Sequence, residues 1–179
     1  MIGQHKRDFT VIPYQDDWVY EFEREAQILQ SVLRENALRI EHIGSTSIPG
    51  MPAKAIIDIM VAVVSLTKAR ELIPVLESLG YVYRPVDTVP GRVYFRKGNK
   101  PEYRTHHLNL VTLDSKFWNN QLAFRNYLRE HDHIASQYVA LKRKIAEDYA
   151  RTQVIDLDAK TAFVTKVLAL AMVEKGRSG

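Results

Sequence analysis

One strand-like run constrains the fold of this chain more than any other feature. Residues 55–64 read AIIDIMVAVV and are apolar apart from Asp58. A short run of this kind, rich in β-branched residues and apolar at successive positions, predicts a central strand buried on both faces. A carboxylate there is costly unless it has a partner. We therefore expect Asp58 either to bind a ligand or metal, or to pair structurally with Lys54 or an arginine.

The segment before this strand predicts a phosphate-binding turn. Residues 38–43 are a short apolar strand, and residues 44–54 read GSTSIPGMPAK, with two Gly and two Pro that predict a structured loop. Gly44 allows close approach of a ligand to the backbone. Ser45, Thr46 and Ser47 add hydroxyl groups to the N–H groups of the turn. These four residues and Lys54 are candidates for phosphate binding.

The remaining pattern predicts one α/β (α+β) domain over residues 1–179, with a mixed sheet flanked by helices and a helical C-terminal third. Further strands are predicted at 81–85, 92–97 and 104–113. Helices are predicted from Asp16 or Asp17 to Glu35, Thr67 to Leu79, Asp114 or Ser115 to Glu130, Asp132 to Tyr149, and Asp156 or Asp158 to Glu174.

Alternation along the strands groups the polar side chains on one face of the sheet. If the apolar sets pack on helices, that face carries Asp58, Arg92, Tyr94, Arg96, His107 and Asn109. A register slip of one residue would reverse every assignment. Arg92 and Arg96 suit phosphate geometry. Asp58, His107 and Asn109 are candidate ligands for Mg²⁺ or Mn²⁺, or for Zn²⁺ through the imidazole.

Several other features have two interpretations. His107 is also a candidate proton acceptor, whereas His106 is predicted to lie in the core. The net charge is +4, and residues 84–104 carry six basic and two acidic side chains, which favours either an anionic partner or a solvated hairpin at a sheet edge. Lys142, Arg143 and Lys144 are predicted to form a solvated helix face, with Lys160 outside the site. The C-terminal aromatic residues are predicted to be core.

The composition of the chain excludes some classes of protein and of metal site. With no cysteine, the chain has neither disulfides nor thiolate metal sites. No apolar run approaches the ~20 residues of a membrane span, and the first residues lack the apolar region of a signal peptide. We expect a cytoplasmic protein that binds a nucleotide or another phosphorylated small molecule. The sequence contains no recognised nucleic-acid-binding module, so the protein is not expected to bind nucleic acid.

The stretch IEHIGSTSIPGMPAKAIIDIMVAV (residues 40–63) resembles the centre of the GrpB family. The likeness extends along the chain through Leu79-Gly80-Tyr81, THHLNLV at 105–111 and FRNYLREH at 124–131. It implies the polymerase-β-like nucleotidyltransferase fold and a predicted nucleotidyltransferase activity. By the same resemblance, Gly44 and Ser45 contact a triphosphate and Asp58 binds a divalent metal.

The chain departs from the pattern of active enzymes with this fold. Met60 stands where the resemblance predicts a second carboxylate, and His107 and Asn109 occupy the place of a third. A thioether has almost no affinity for Mg²⁺, which argues against two-metal catalysis. Two hypotheses follow. The protein transfers a nucleotidyl group to a small acceptor or protein, or it is a non-catalytic domain that binds a nucleotide or CoA-like ligand and assists a protein partner, as suggested for related domains fused to dephospho-CoA kinases.

Overall fold

The structure, a computed structural model, describes residues 2–5, 10–85, 89–98, 102–152, 154 and 157–177. The strands are β1 Gln4–His5, β2 Arg39–Ile43, β3 Ile57–Val63, β4 Tyr81–Tyr83, β5 Arg92–Lys97, β6 Tyr103–Arg104 and β7 His106–Thr112. The helices are α1 Asp17–Leu33, α2 Leu66–Glu71, α3 Ile73–Ser78, α4 Lys116–Glu130, α5 Asp132–Thr152 and α6 Leu157–Arg177. Short 3-10 turns lie at Arg34–Asn36 and Ser45–Ser47. The predicted mixed sheet and helical C-terminal third are confirmed.

Five strands form the main sheet in the order β2-β3-β7-β5-β4. The central pair, β3 and β7, is parallel, and the other neighbours are antiparallel. Ile57, Ile59, Val61 and Val63 of β3 are fully buried on one face against α1, α2 and α3, as the apolar pattern of this strand predicts. β1 and β6 make a separate two-stranded sheet.

The opposite face of the sheet is only partly covered. Helix α4 packs over one part of it, where Trp118 joins Ile43, Met60, Ala62 and Val111 in a buried cluster. Helices α4, α5 and α6 pack around a further cluster of Leu128, Ile134, Tyr138 and Val167, which also takes in Ile48 and Met51 from the loop after β2. The predicted core aromatic residues Phe117, Trp118, Phe124, Tyr127 and Tyr138 pack in these two clusters, whereas Tyr149 is half-buried.

One prediction about helices is wrong. The single helix expected from Thr67 to Leu79 is two helices, because Pro74 lacks an N–H and disfavours continuation from the preceding turn. Helix α1 begins at Asp17, as predicted, and Asp16 precedes it without a side-chain capping hydrogen bond. By contrast, Ser115 caps α4 as expected, accepting a hydrogen bond from the N–H of Trp118 at 3.3 Å. The predicted Asp156 start of the last helix lies outside the described residues.

No helix in the described part of the chain is long and apolar enough to cross a membrane.

Candidate functional site

Strand register brings the predicted polar face together. Asp58 on β3 is paired with His107 on β7, and His107 is paired with Arg96 on β5. Two residues further along, Asn109 lies between Met60 and Tyr94. These six residues, with Arg92 at the next position of the same alternation, share one face. The predicted grouping of Asp58, Arg92, Tyr94, Arg96, His107 and Asn109 is therefore confirmed as geometry.

Asp58 and His107 form a hydrogen-bonded pair. His107 Nδ1 lies 3.0 Å from Asp58 Oδ1, and both side chains are partly exposed. A carboxylate oxygen is a hydrogen-bond acceptor, so Nδ1 of His107 is the donor in this pair. His107 Nε2 is buried and has no hydrogen-bond partner in the described chain. The His107 and Tyr94 rings pack edge to face, with their centroids 5.6 Å apart. The hydrogen bond orients Asp58, and burial separates Nε2, the nitrogen that would accept a proton from a substrate, from solvent.

Gly44 lies directly beside the carboxylate of Asp58. Its φ of 71° is in the region that favours glycine. A Cβ at this position would collide with Asp58 Oδ2 and lie 3.0 Å from Asp58 Cβ. The turn and the carboxylate therefore pack without room for a side chain between them. The neighbour that requires a glycine here is Asp58, and the close approach of a ligand to Gly44 stays a prediction.

The hydroxyl groups of the turn are used in different ways. Ser45 lines the cleft in front of Asp58. Thr46 Oγ1 is 3.0 Å from His42 Nε2, whereas Ser47 Oγ donates to the carbonyl of Gly44 at 2.6 Å. Thr46 and Ser47 are both buried. Of the three hydroxyl groups of the turn, that of Ser45 is thus the one without a hydrogen bond to the turn or to His42 in the described part of the chain.

Basic side chains of α4 hold the carbonyl groups of the same segment. Arg129 donates from Nε and Nη2 to the carbonyl of Ser47, at 3.1 and 2.5 Å. Arg125 Nη1 donates to the carbonyl of His42 and to Glu41 Oε2, each at 2.8 Å. These bonds fix the end of β2 and the turn that follows it to α4.

His42 is a neutral support of the turn. Its ring stacks on Phe22 with centroids 4.6 Å apart, and burial lowers the pKa of His42 to about 4, against the opposing effect of the Asp58 charge. A neutral imidazole can accept from or donate to Thr46.

Arg92 and Arg96 are held by the same sheet face. Arg92 Nη1 donates to Asn109 Oδ1 at 2.7 Å, and its guanidinium lies 4.4 Å from the Tyr94 ring centroid. Arg96 Nε donates to the hydroxyl of Tyr94 at 3.2 Å. Asn109 also donates to the carbonyl of Ile59 at 3.1 Å and is buried. Both polar atoms of Asn109 therefore have protein partners, and a cation could use its oxygen only by displacing Arg92.

These residues line a cleft of about 710 Å³ between the sheet and the C-terminal helices. The sheet side and its loops contribute Ser45, Thr46, Lys54, Asp58, Arg92, Arg96 and His107. The helical side contributes Tyr138, Lys142, Ile145, Leu157 and Lys160. Asp58 is the one carboxylate among the described lining residues, beside five basic side chains, so the cleft is suited to an anion.

The positions of Lys142 and Lys160 correct the sequence interpretation. The sequence predicts Lys142 on a solvated helix face and Lys160 outside the site. In the structure, both residues line the cleft. Arg143 and Lys144 are exposed as predicted. A signal was present: Lys142 is four residues after Tyr138 and three before Ile145, so helical spacing places it on their buried side.

The basic segment 84–104 is divided between environments. Arg92 and Arg96 reach the cleft, whereas Lys97 Nζ pairs with buried Glu25 at 2.7 Å on the other face. Burial alone would raise the pKa of Glu25, but hydrogen bonds from Lys97 and Tyr81 lower it below its usual value. His106 is buried near this pair, as predicted for a core histidine, and burial lowers its pKa to about 4. Asp87 and Lys100 lie outside the described residues.

The residues present do not form a metal cage. The described chain contains no group of three or more His, Asp or Glu side chains placed to hold a metal ion. Mg²⁺ is nevertheless often bound by one or two carboxylates together with substrate phosphates. Asp58 can supply one such ligand, so these residues fit a cation that enters with a phosphorylated ligand.

Solved structures with a similar fold include two informative groups. The GrpB protein from Enterococcus faecalis has a TM-score of 0.82 and 41% identity, over 93% of this chain and 99% of that one. The Cid1 poly(U) polymerase, with MgATP bound, has a TM-score of 0.53 and 14% identity, over 73% of this chain and 43% of that one. At this identity, the second likeness shows the fold alone: a nucleotidyltransferase-like fold.

Sequence relatives are bacterial. YqkA of Bacillus subtilis (strain 168) is 35% identical over 144 residues, 80% of this chain, and the match spans 41% of YqkA. Glutamate-rich protein GrpB of Alkalihalophilus pseudofirmus is 30% identical over 171 residues, 94% of this chain and 98% of that protein. A dephospho-CoA kinase of Mycolicibacterium paratuberculosis is 38% identical over 74 residues, 40% of this chain and 18% of the kinase. Residues 8–170 match the GrpB protein family. The chain belongs to the GrpB family.

Proposed function

We propose that the cleft binds a nucleoside triphosphate together with one divalent cation. The observation that carries this proposal is the cleft lining, in which five basic side chains surround a single carboxylate. A polyphosphate is a ligand of matching charge, and arginine and lysine are its usual protein partners. The apolar lining, Val11, Ala53, Ile56, Val89, Ile145 and Leu157, offers a surface for a base.

The sheet side supplies the groups that would hold the phosphates nearest the nucleoside. Ser45 and the N–H groups of the turn that follows Gly44 are proposed to donate to phosphate oxygens. Arg92, Arg96 and Lys54 are proposed to neutralise the phosphate charge. Asp58 is proposed to hold the cation through Oδ2, because Oδ1 accepts from His107. The cation, Mg²⁺ or Mn²⁺, would supply positive charge beside the phosphates, and Asp58 is the carboxylate that would hold it.

Calorimetric titration of ATP, with and without Mg²⁺, tests this proposal. Asp58→Asn keeps an oxygen for His107 but removes the charge, so we expect it to lower affinity for MgATP about tenfold while leaving metal-free ATP binding unchanged or tighter. Arg96→Met should weaken binding in both conditions. Arg84→Met, an exposed arginine of the same basic segment, is the matched control and should have no effect. The proposal is wrong if wild-type protein binds no nucleotide at millimolar concentration in either condition.

Transfer of the nucleotidyl group is the second candidate, favoured by the hydrogen bond between Asp58 and His107. In that reaction an acceptor oxygen or nitrogen would attack the α-phosphorus, and pyrophosphate would leave. His107 could take the acceptor proton only at Nε2, which is buried in this structure. The geometry therefore supports binding more directly than transfer.

Nucleotide labelled at the α-phosphate separates the two candidates. Label that moves to an acceptor in wild-type protein and is lost in Asp58→Asn would support transfer. If the Asp58→Asn variant still incorporates label, Asp58 is not required for the transfer reaction.

An accessory role remains the alternative, favoured by the partial likeness to a dephospho-CoA kinase. It predicts binding of CoA or dephospho-CoA without turnover, or a higher yield of a co-expressed kinase. Including both CoA compounds in the titrations tests this role: tighter binding of CoA than of ATP would favour it, and no binding with no gain in yield would oppose it.

A further inference from the structure

The helical wall of the cleft carries two lysines that the sheet-side binding scheme does not use. Lys142 on α5 and Lys160 on α6 both line the cleft, and the charge of Lys160 contributes to the lowered pKa of Lys142. Lys142 Nζ donates to the carbonyl of Pro52 and lies 5.1 Å from the Tyr138 ring centroid. Neither the carbonyl nor the ring carries a full negative charge that would neutralise the amine.

We propose that Lys142 and Lys160 form a second phosphate-binding point, which takes the terminal phosphate of a polyphosphate chain and so selects ligands by phosphate number. This inference rests on the proposed nucleotide-binding function for the rest of the ligand. Two lysines on neighbouring helices repel each other, and an anion between them removes that repulsion. A ligand bound at Arg92 and Arg96 would reach the opposite wall only if its phosphate chain is long enough.

The surroundings of Lys142 add a second, independent signature. The charged and titratable groups that line the cleft with Lys142 come from every surrounding element. They are Lys160 from α6, Lys54 from the loop, Asp58 and His107 from the central strands, Arg92 and Arg96 from β5, and Tyr138 from its own helix. Burial, followed by the charge of Lys160, lowers the pKa of Lys142 to about 7. A phosphate beside the amine would raise that pKa, so above pH 7 binding should take up a proton at Lys142.

Titration of AMP, ADP, ATP and inorganic tripolyphosphate tests the selection. In wild-type protein we expect affinity to rise with phosphate number. Lys142→Met and Lys160→Met should each weaken ATP and tripolyphosphate about tenfold and AMP less than twofold, because one charge-assisted contact is lost. Lys144→Met, an exposed lysine of the same helix, is the control and should change nothing. Lys160 is exposed, so its variant keeps the test valid if Lys142→Met does not fold.

Calorimetry at pH 8 in two buffers of different ionisation enthalpy tests the proton uptake. Wild-type protein should take up about one proton per ATP bound. Lys142→Arg, whose side chain stays charged, should take up much less than one proton per ATP. A similar uptake by Lys142→Arg would assign the proton to another group, such as His107, and overturn this part of the inference.

The outcomes separate the two proposals. Equal affinity for AMP and ATP, or ATP binding that both lysine substitutions leave unchanged, overturns the inference while the nucleotide site stands. Lysine-dependent binding of tripolyphosphate without nucleotide binding would support the second phosphate-binding point and contradict the nucleotide proposal. Absence of binding by all four compounds overturns both.

Discussion

Asp58 and Met60 lie two residues apart on one strand and one face, yet their surroundings differ completely. Asp58 is partly exposed and faces the cleft with His107. Met60 is fully buried under α4, beside Trp118 and Val111. The comparison shows that the missing second carboxylate is more than a single substitution, because α4 has turned that half of the face into core. A metal pair would require the helix to move as well as Met60 to change.

Met60→Asp is the strongest challenge to this comparison. If the Met60 half is core, an aspartate there is a buried charge without a partner, and the free energy of unfolding should fall by about 3–5 kcal/mol. Urea denaturation measures the change, and Met60→Leu, which conserves volume, should cost less than about 1.5 kcal/mol. A Met60→Asp variant that is as stable as wild type and binds a second metal ion would show that α4 leaves room for a metal site.

The contribution of His42 to the stability of the protein should depend on pH. The pKa of His42 is about 4 in the folded protein, below the ordinary value of 6.5, so the unfolded chain binds more protons between these values. The contribution of His42 to the free energy of unfolding should therefore be greatest above pH 6.5 and fall by up to about 3 kcal/mol as the pH drops to 4.

Urea denaturation at several pH values measures this dependence. His42→Gln should make the pH profile less steep but not flat, because buried His106 also has a pKa of about 4. His133→Gln, at an exposed position, should leave the profile unchanged. An unchanged profile in His42→Gln would show that other groups cause the acid sensitivity.

Substitution of two glycines tests the packing around Asp58 and has the smallest expected effect on stability. Gly44 and Gly50 have φ values of 71° and 74°, but only Gly44 has a neighbour within 4 Å of the added Cβ, namely Asp58. Gly50→Ala should cost about 1 kcal/mol from backbone strain, and Gly44→Ala about 1–2 kcal/mol more, with weaker ATP binding. Equal losses in both variants would mean that Asp58 moves aside freely.

The sheet side of the site was largely predictable from the sequence. Alternation placed Asp58, His107 and Arg96 together because β3, β5 and β7 are regular and each has one apolar set that must be buried. The two-residue offset that separates Asp58 from Met60 was visible in the same pattern. The sequence pattern did not show which of these two residues lies under a helix, because that depends on where α4 packs.

The helical side was not predictable in the same way. Lys142 and Lys160 belong to helices whose spacing predicts a buried stripe but not which element that stripe meets. The bonds of Arg125 and Arg129 to carbonyl groups near residue 42–47 join segments more than 80 residues apart, and no local pattern encodes them. Pro74 is a different case, because its effect on the helix was readable and was missed.

The wide separation in sequence between the two walls of the cleft has a consequence for folding kinetics. The sheet wall begins at Ser45 and the helical wall ends at Lys160, so the cleft closes a long loop of chain. Contacts of such high sequence separation tend to form late, after the sheet and its nearby helices have condensed. A ligand that bridges both walls would then stabilise contacts absent from the folding transition state. It should slow unfolding far more than it accelerates folding, and so lengthen the lifetime of the native protein.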